Sequence, residues 1–355
     1  MVDSSSPFQW ESINSQLASK TDLTPEQARW VMREILTDQA PKEELKTMLT
    51  NMYHKGEAPE EVDAFVKEMF AFSLPIDITD RAVDIVGTGG DGAHTINIST
   101  SASVITTAAG ARTVKHGSVA ATSKSGAADV LRALGVNIDL TGPEVAQVVH
   151  KLGIGFLFAQ KFHASLRYAA PARRELSFPT MFNVLGPLAN PAQPKAIALG
   201  VANPKMMRVM ANVLLKRGVE GFVFRGDDGL DEISLETTTT VLQISNGTIR
   251  EEKFDPTNLN IQRSPLSELV GGEADYNADV TRRIYAGEHG APRDAVLLNA
   301  AAGIAAFKGD FSLSVEQQFA NGLVLATAAV DSGKAAALLD SWAKMTQEIV
   351  ANRPE

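Results

Sequence analysis

The chain has 355 residues, with 33 Lys and Arg against 42 Asp and Glu, a net charge of −9 and no cysteine. That length suits one large domain or two ordinary ones whose cores need no covalent staples, and the missing thiol excludes disulfides, thiolate metal sites and cysteine nucleophiles. The acidic balance counts against a dedicated nucleic-acid binder, which presents a basic field, but an anionic substrate stays open because a site is local and net charge is global.

Met1-Val2-Asp3-Ser4-Ser5-Ser6-Pro7 lacks a basic stretch followed by an apolar one, so no secretory signal is predicted. Residues 8 to about 73 read as helices. Thr24-Pro25-Glu26-Gln27 offers a capping hydroxyl, Pro at the first helical position and Gln three residues after the cap. Trp30, Val31, Ile35 and Leu36 then recur at helical spacing. Ala40-Pro41-Lys42-Glu43-Glu44 and Ala58-Pro59-Glu60-Glu61 look like two further starts, with acids where the helix dipole favours them. Leu74-Pro75-Ile76-Asp77 breaks the pattern and reads as a hinge.

From Val83 short β-branched runs alternate with Ala- and Leu-rich helical stretches. Val83 to Val86, Thr113-Val114, Gly153 to Phe158, Ala196 to Val201 and Gly221 to Phe224 are the strand candidates. Ala102 to Ala111, Ser125 to Leu134 (closed by Gly135) and Pro204 to Lys216 are the intervening helices. This rhythm predicts a mostly parallel sheet flanked by helices. Thr238 to Ile249 differs, since two extended runs meet at Asn246-Gly247, a strong hairpin signal. Residues from Asp279 onward are helical again. The longest apolar run, Ala295 to Phe307, is shorter than the ~20 residues of a membrane span. No membrane contact and a cytoplasmic location are the expectations, although the lack of cysteine is also compatible with export.

Gly87-Thr88-Gly89-Gly90-Asp91-Gly92 directly follows a predicted strand. Glycines let backbone N–H groups approach a phosphate, and a following helix N-terminus adds a favourable dipole. The G-x-G-x-x-G spacing is met, but Ala93 to Thr100 reads as extended where a dinucleotide fold would open a helix, and no Gly-Lys-Ser/Thr follows. Alone, a tight structural turn explains the loop equally well. Asn97-Ile98-Ser99-Thr100, Lys115-His116-Gly117 and Ser123-Lys124-Ser125-Gly126 shift that balance, because each lies at a strand end and feeds a helix. Ligands of open α/β sheets bind at the carboxyl ends of strands, and a ligand with several phosphates suits this arrangement. The acidic run Asp227-Asp228-Gly229-Leu230-Asp231-Glu232 is an ordinary surface turn in isolation. Beside a polyphosphate it suits Mg2+, a hard cation bound through one or two carboxylates plus phosphate oxygens.

These motifs, with Ala128-Asp129 and Phe182-Asn183-Val184-Leu185-Gly186-Pro187-Leu188, occur in the order found in one family. Over nearly its whole length the chain resembles the anthranilate phosphoribosyltransferases of tryptophan biosynthesis. The resemblance implies an α/β fold: a small all-helical N-terminal domain (1–74, with part of 170–190 packed on it), a hinge at 75–82 and a larger α/β domain (83–355) with a central, mostly parallel sheet. It implies transfer of phosphoribosyl from 5-phosphoribosyl 1-diphosphate (PRPP) to anthranilate with release of pyrophosphate, two Mg2+ ions per chain and a homodimer formed through the helical domain. Carried over by matching motif, the donor is held by Gly87, Gly90, Asp91, Thr95, Asn97, Ile98, Ser99, Thr100, Lys115, His116, Gly117, Ser123 and Ala127. Anthranilate meets Gly87, Ser118, His163 and Arg173, the last as a guanidinium for its carboxylate. Ser99, Asp231 and Glu232 hold Mg2+, directly or through water. Asp227 and Asp228 fall outside the ligand pair and are expected to be solvated; Arg174 is expected to face solvent. No residue stands out as a general base.

Some residues have plainer roles. His116 lies in a backbone-led loop and is as readily structural. Met206, Met207 and Met210 suit packing on an amphipathic helix, and Trp10 and Trp30 suit helix or dimer packing. One departure stands out. The family usually reads Lys-His-Gly-Asn-Arg where this chain has Lys115-His116-Gly117-Ser118-Val119, so Ser118 lacks an amide and Val119 cannot contact an anion. A family member with an altered acceptor, a pyrimidine-nucleoside phosphorylase of the same fold, or a nucleic-acid-binding paralogue without activity are the alternatives. Arg173 and the Phe182 to Leu188 segment oppose the second; the charge of −9 and the intact Asp231-Glu232 pair oppose the third.

Overall fold

In the computed structural model, which describes residues 7–120 and 123–353, four helices open the chain: α1 (Trp10–Ala18), α2 (Pro25–Leu36), α3 (Lys42–Lys55) and α4 (Pro59–Ala71). The α2 cap forms as predicted: the Gln27 amide N–H donates to Thr24 Oγ1 and Gln27 Oε1 accepts from the Thr24 N–H. Val31, Met32, Ile35 and Leu36 are its buried stripe. Trp10 and Trp30 pack ring to ring at 5.3 Å. The segment after α4 is pinned at two points. Leu74 N–H donates to the Phe162 carbonyl at 2.9 Å, and the Pro75 carbonyl lies so close to Gly142 that a Cβ there would stand 1.9 Å away.

The α/β part follows as β1 (Val83–Gly87), α5 (Ile98–Ala108), β2 (Thr113–Gly117), α6 (Ala127–Ala133), α7 (Gly142–Leu152) and β3 (Ile154–Phe158). Three short helices, α8 (Ala159–Phe162), α9 (Ala170–Arg173) and α10 (Phe182–Leu188), lead to β4 (Ala196–Gly200), α11 (Pro204–Lys216) and β5 (Glu220–Gly226). The hairpin β6 (Thr239–Ser245) and β7 (Thr248–Phe254) turns at Asn246 and Gly247, both with positive φ as the predicted turn requires. Helices α12 (Ala274–Tyr285), α13 (Ala291–Lys308), α14 (Val315–Asp331) and α15 (Lys334–Ala351) complete the chain.

The seven-stranded sheet has the order β3-β2-β1-β4-β5-β6-β7; the first five strands are parallel and the hairpin is antiparallel. The chain winds outward from β1 through β2 to β3, then restarts at β4 and winds the other way. The crevice between the carboxyl ends of β1 and β4 is therefore the switch point where open α/β sheets bind ligands. One face of the sheet is covered by α5 and α13. The Ala-rich α13 is buried on nearly every side, and Gly303 lets it approach so near that a Cβ would lie 2.5 Å from Ile85 Cδ1. The other face joins α11 and α10 to the helical bundle in one continuous apolar cluster, with Met206, Met207 and Met210 inside it. No single helix among the described residues is long and apolar enough to cross a membrane.

Several boundaries differ from expectation, two of them beside the glycine loop and its neighbours. The stretch read as extended to Thr100 ends at Asn97: Thr95 bridges Val270 and the Ile96 N–H donates to the Leu269 carbonyl, after which α5 opens at Ile98. Helix α6 starts at Ala127 rather than Ser125, because Asp129 Oδ2 accepts the amide N–H groups of Gly126 and Ala120 and holds 123–126 as a loop.

Candidate active site

The glycine loop leaves β1 with Gly89 and Gly90 at φ +66° and +81°, backbone that a side chain rarely adopts. Two other glycines act through space. A Cβ on Gly87 would meet Asp231 Oδ2 at 2.4 Å, and one on Gly200 would meet the Asp231 carbonyl oxygen at 1.6 Å. Bare backbone at the ends of β1 and β4 is thus what admits the Asp231-Glu232 segment into the crevice. Asp231 Oδ2 then accepts the Gly89 N–H at 2.6 Å, and Glu232 Oε1 accepts the N–H of Ser99, in the first turn of α5, at 3.2 Å. Asp91 Oδ1 accepts the Ala93 N–H. Thr100 is buried one residue after Ser99.

The electrostatics of this crevice are unusual. Burial, with the nearby Asp91 charge, pushes the Asp231 carboxyl up to about 7. Burial and the Asp231 charge raise Glu232 well above the usual carboxylate range. Lys115, only 2% exposed, donates from Nζ to the Ile85 carbonyl at 2.5 Å and to Ser99 Oγ at 3.2 Å; burial lowers its pKa, while Asp84 and Glu232 hold it up. Lys115 therefore lies beneath β1 and reaches the crevice through Ser99 rather than projecting into the loop. The two adjacent buried carboxylates, Asp231 and Glu232, suit a divalent cation. Mg2+ needs only one or two protein carboxylates where phosphate oxygens complete its shell.

Around this centre Asn97 is a junction. Its Nδ2 donates to the Ser125 carbonyl and its Oδ1 accepts from Asn277 Nδ2. Gly117 is closed in by Phe156 and Ala127, at 2.9 and 3.1 Å from a would-be Cβ. The Ser118 carbonyl accepts the Ala128 N–H, Ser123 Oγ donates to the Ser125 carbonyl, and Val119 packs on the main core. Residues 121 and 122 of the loop lie outside the described residues.

The remaining candidates, His116 from the donor set and His163 and Arg173 from the acceptor set, fall into two groups. His116 Nδ1–H donates to the Gly186 carbonyl at 3.1 Å, His163 Nε2–H donates to the Ala189 carbonyl at 2.7 Å, and the two rings meet edge to face at 5.4 Å. Burial, with His163 and Lys115 nearby, pushes His116 down to about 3, so both imidazoles stay neutral; burial lowers His163 as well. Arg173 stands apart from them on α9, half-buried with its guanidinium 5.0 Å from the Phe182 ring centre and without an ion pair among the described residues. Arg174 is exposed. Asp227 and Asp228 sit in an exposed turn away from the crevice, anchored by Lys253 and Thr240 and by Ser234 respectively.

Sequence reading missed Asp84. Buried in β1 and pushed up to about 6 by burial against the pull of Lys115, it accepts the His116 N–H and Asn190 Nδ2 and ties β1, β2 and the 189–195 loop together. A carboxylate inside a β-branched run was the available signal. Asn190 and Asn277 carried none.

The profile described as "Glycosyl transferase family, a/b domain" matches residues 79–336, and that of the family's helical bundle domain matches 12–73. The chain is 47% identical over 344 residues to the anthranilate phosphoribosyltransferase of Rhodococcus opacus, covering 97% of this chain and 95% of that one. The chain belongs to the anthranilate phosphoribosyltransferase family. The family member from Arthrobacter sp. is 46% identical over 338 residues, covering 95% of this chain and 96% of its own. Two solved anthranilate phosphoribosyltransferases superpose with TM-scores of 0.87. That of Thermus thermophilus is 35% identical and covers 94% of this chain and 99% of its own. That of Saccharomyces cerevisiae, in complex with PRPP and Mg, is 26% identical and covers 97% and 99%. A helical bundle joined to a larger α/β domain is the fold of this family, and its members are phosphoribosyltransferases within the glycosyltransferases.

Proposed function

We infer that this chain transfers phosphoribosyl from PRPP to the amine of anthranilate, and that the crevice between β1 and β4 is where it does so. The observation that carries this reading is the convergence, at one switch point, of the glycine loop, the α5 N-terminus with Ser99, and the buried Asp231-Glu232 pair. The anthranilate nitrogen bonds to the anomeric carbon as the carbon–oxygen bond to the diphosphate breaks. The electron pair leaves with pyrophosphate, and the amine loses a proton.

The protein's work is positioning and charge. Amides of Gly87 to Asp91 and the first turn of α5 (Ile98, Ser99, Thr100) face the donor. Thr95, Asn97 and Asn277 brace the loop. Gly117, Ser123 and Ala127 shape the far wall, and Lys115 steadies Ser99 from below. Asp231, Glu232 and Ser99 are the groups that would hold Mg2+, two ions in this reading, and bound metal would neutralise the leaving diphosphate. Anthranilate lies with its carboxylate to Arg173, whose guanidinium has no ion-pair partner among the described residues and suits it, and its ring beside Gly87, Ser118 and His163. The neutral His116 and His163 add no charge to compete with Arg173. The hinge at 75–82 between residues 1–74 and 83–355, a homodimer through the bundle and a cytoplasmic location belong to the same reading. The exposed Tyr53, stacked on Phe178 at 4.4 Å, supports a contact surface on the bundle.

The test is anthranilate fluorescence. It should decay only when PRPP and Mg2+ are both present. Tight PRPP binding without decay would redirect the reading to another acceptor, which Ser118 and Val119 would then explain.

A further inference from the structure

A second cavity, of about 180 Å3, lies between the 268–270 segment, α12 and the start of α13. None of its lining residues belongs to the donor, acceptor or metal groups above. Ile96, Val280 and Ile284 give it buried apolar walls, and Val270 and Tyr276 are 50% and 52% exposed beside it. Large apolar side chains left this open beside a concavity mark a place where something else covers them.

Arg293 supplies the opposite chemistry. It lines the cavity yet is only 3% exposed. Its Nη2 is held by Asp331, whereas Nη1 is buried with no hydrogen-bond partner among the described residues. Buried donors are almost always paired, so an orphaned guanidinium N–H beside a cavity asks for an acceptor. The other charges do not satisfy it: Arg283 and Glu288 pair with one another, and Glu268 is exposed and solvent-screened.

We propose that this cavity binds a small monocarboxylate with an apolar body, its carboxylate on Arg293 and its body against Val270 and Tyr276. A compact dianion such as inorganic phosphate fits less well, since it would leave the apolar walls uncovered beside Glu268 and Glu288.

The test is calorimetric titration of the full chain with phenylacetate, and with phenylacetamide as its uncharged counterpart. Phenylacetate should bind in the millimolar range or tighter, with the amide at least tenfold weaker. Arg293→Lys keeps a cation for Asp331 but removes Nη1, and should weaken phenylacetate at least tenfold. Val270→Glu sets a carboxylate at an exposed position where misfolding is not at issue, and should do the same even if Arg293→Lys fails to fold. Arg173→Gln, on the acceptor side of the active site, should leave this binding intact. No binding up to ~10 mM, an amide as tight as the acid, indifference to Val270→Glu, or loss confined to Arg173→Gln would each overturn the proposal.

Discussion

Gly200→Ala is a sharp probe of how the acidic pair enters the crevice. The added methyl would stand 1.6 Å from the Asp231 carbonyl oxygen and 2.4 Å from its carbonyl carbon. Those are backbone atoms, so no side-chain rotation relieves the clash. Reaching ordinary contact near 3.4 Å needs a retreat of about 1.8 Å by the Asp231-Glu232 segment. That movement would break the bonds to the Gly89 and Ser99 amides, which are 2.6 and 3.2 Å long. Gly200 has no positive φ, so the cost is steric alone. A misplacement of this size is expected to lower kcat/KM by about 10²-fold or more, with about 1–3 kcal/mol lost in stability. Gly87→Ala should be milder, about 10-fold, because its methyl meets a carboxylate oxygen that can turn away. Initial rates of anthranilate fluorescence loss at saturating PRPP and Mg2+, with circular dichroism melts to verify folding, measure both. A folded Gly200→Ala enzyme within about threefold of the wild-type rate would show that bare backbone at Gly200 is not what admits Asp231 to the crevice.

Other expectations follow from the same geometry. His116 is pushed down to about 3 by burial, whereas an unfolded imidazole titrates near 6.5. Below that pH the unfolded chain binds more protons, so stability is lost as pH falls, by up to ~1.4 kcal/mol per unit. Urea unfolding at pH 7.5, 5.5 and 4.5 should show a shallower acid loss in His116→Gln than in the wild type; parallel curves would contradict a buried neutral imidazole. Lys115→Met strips Asp84 and Glu232 of their shared buried cation and should cost about 3–5 kcal/mol in urea unfolding; a loss below ~1 kcal/mol would mean the amine is not what balances them. Ser118→Asn with Val119→Arg is expected to lower the KM for anthranilate, and unchanged kinetics would remove these positions from the acceptor site.

The strand framework was legible because β-branched runs such as Val83 to Val86 end in glycine, and the helix starts because Pro and acids cluster at them. The candidate site was legible as an ordered set of motifs. Its geometry was less so, for a common reason: the deciding partners are far away in sequence. Ile98, Ser99 and Thr100 look extended locally, but α5 opens there once Thr95 has bridged Val270. Ser99 then meets Glu232 across 133 residues, and Asp84 meets Asn190 across 106. Local propensity carries no trace of such partners, nor does it show that Lys115 lies under β1 instead of in the loop.

The most direct test is calorimetric binding of PRPP with and without Mg2+, in the wild type and in Asp231→Asn with Glu232→Gln. If the β1–β4 crevice is the donor site, Mg2+ should tighten wild-type binding at least tenfold and leave the double variant unaffected. An undiminished Mg2+ effect in a folded double variant would contradict the placement of donor and metal at that crevice.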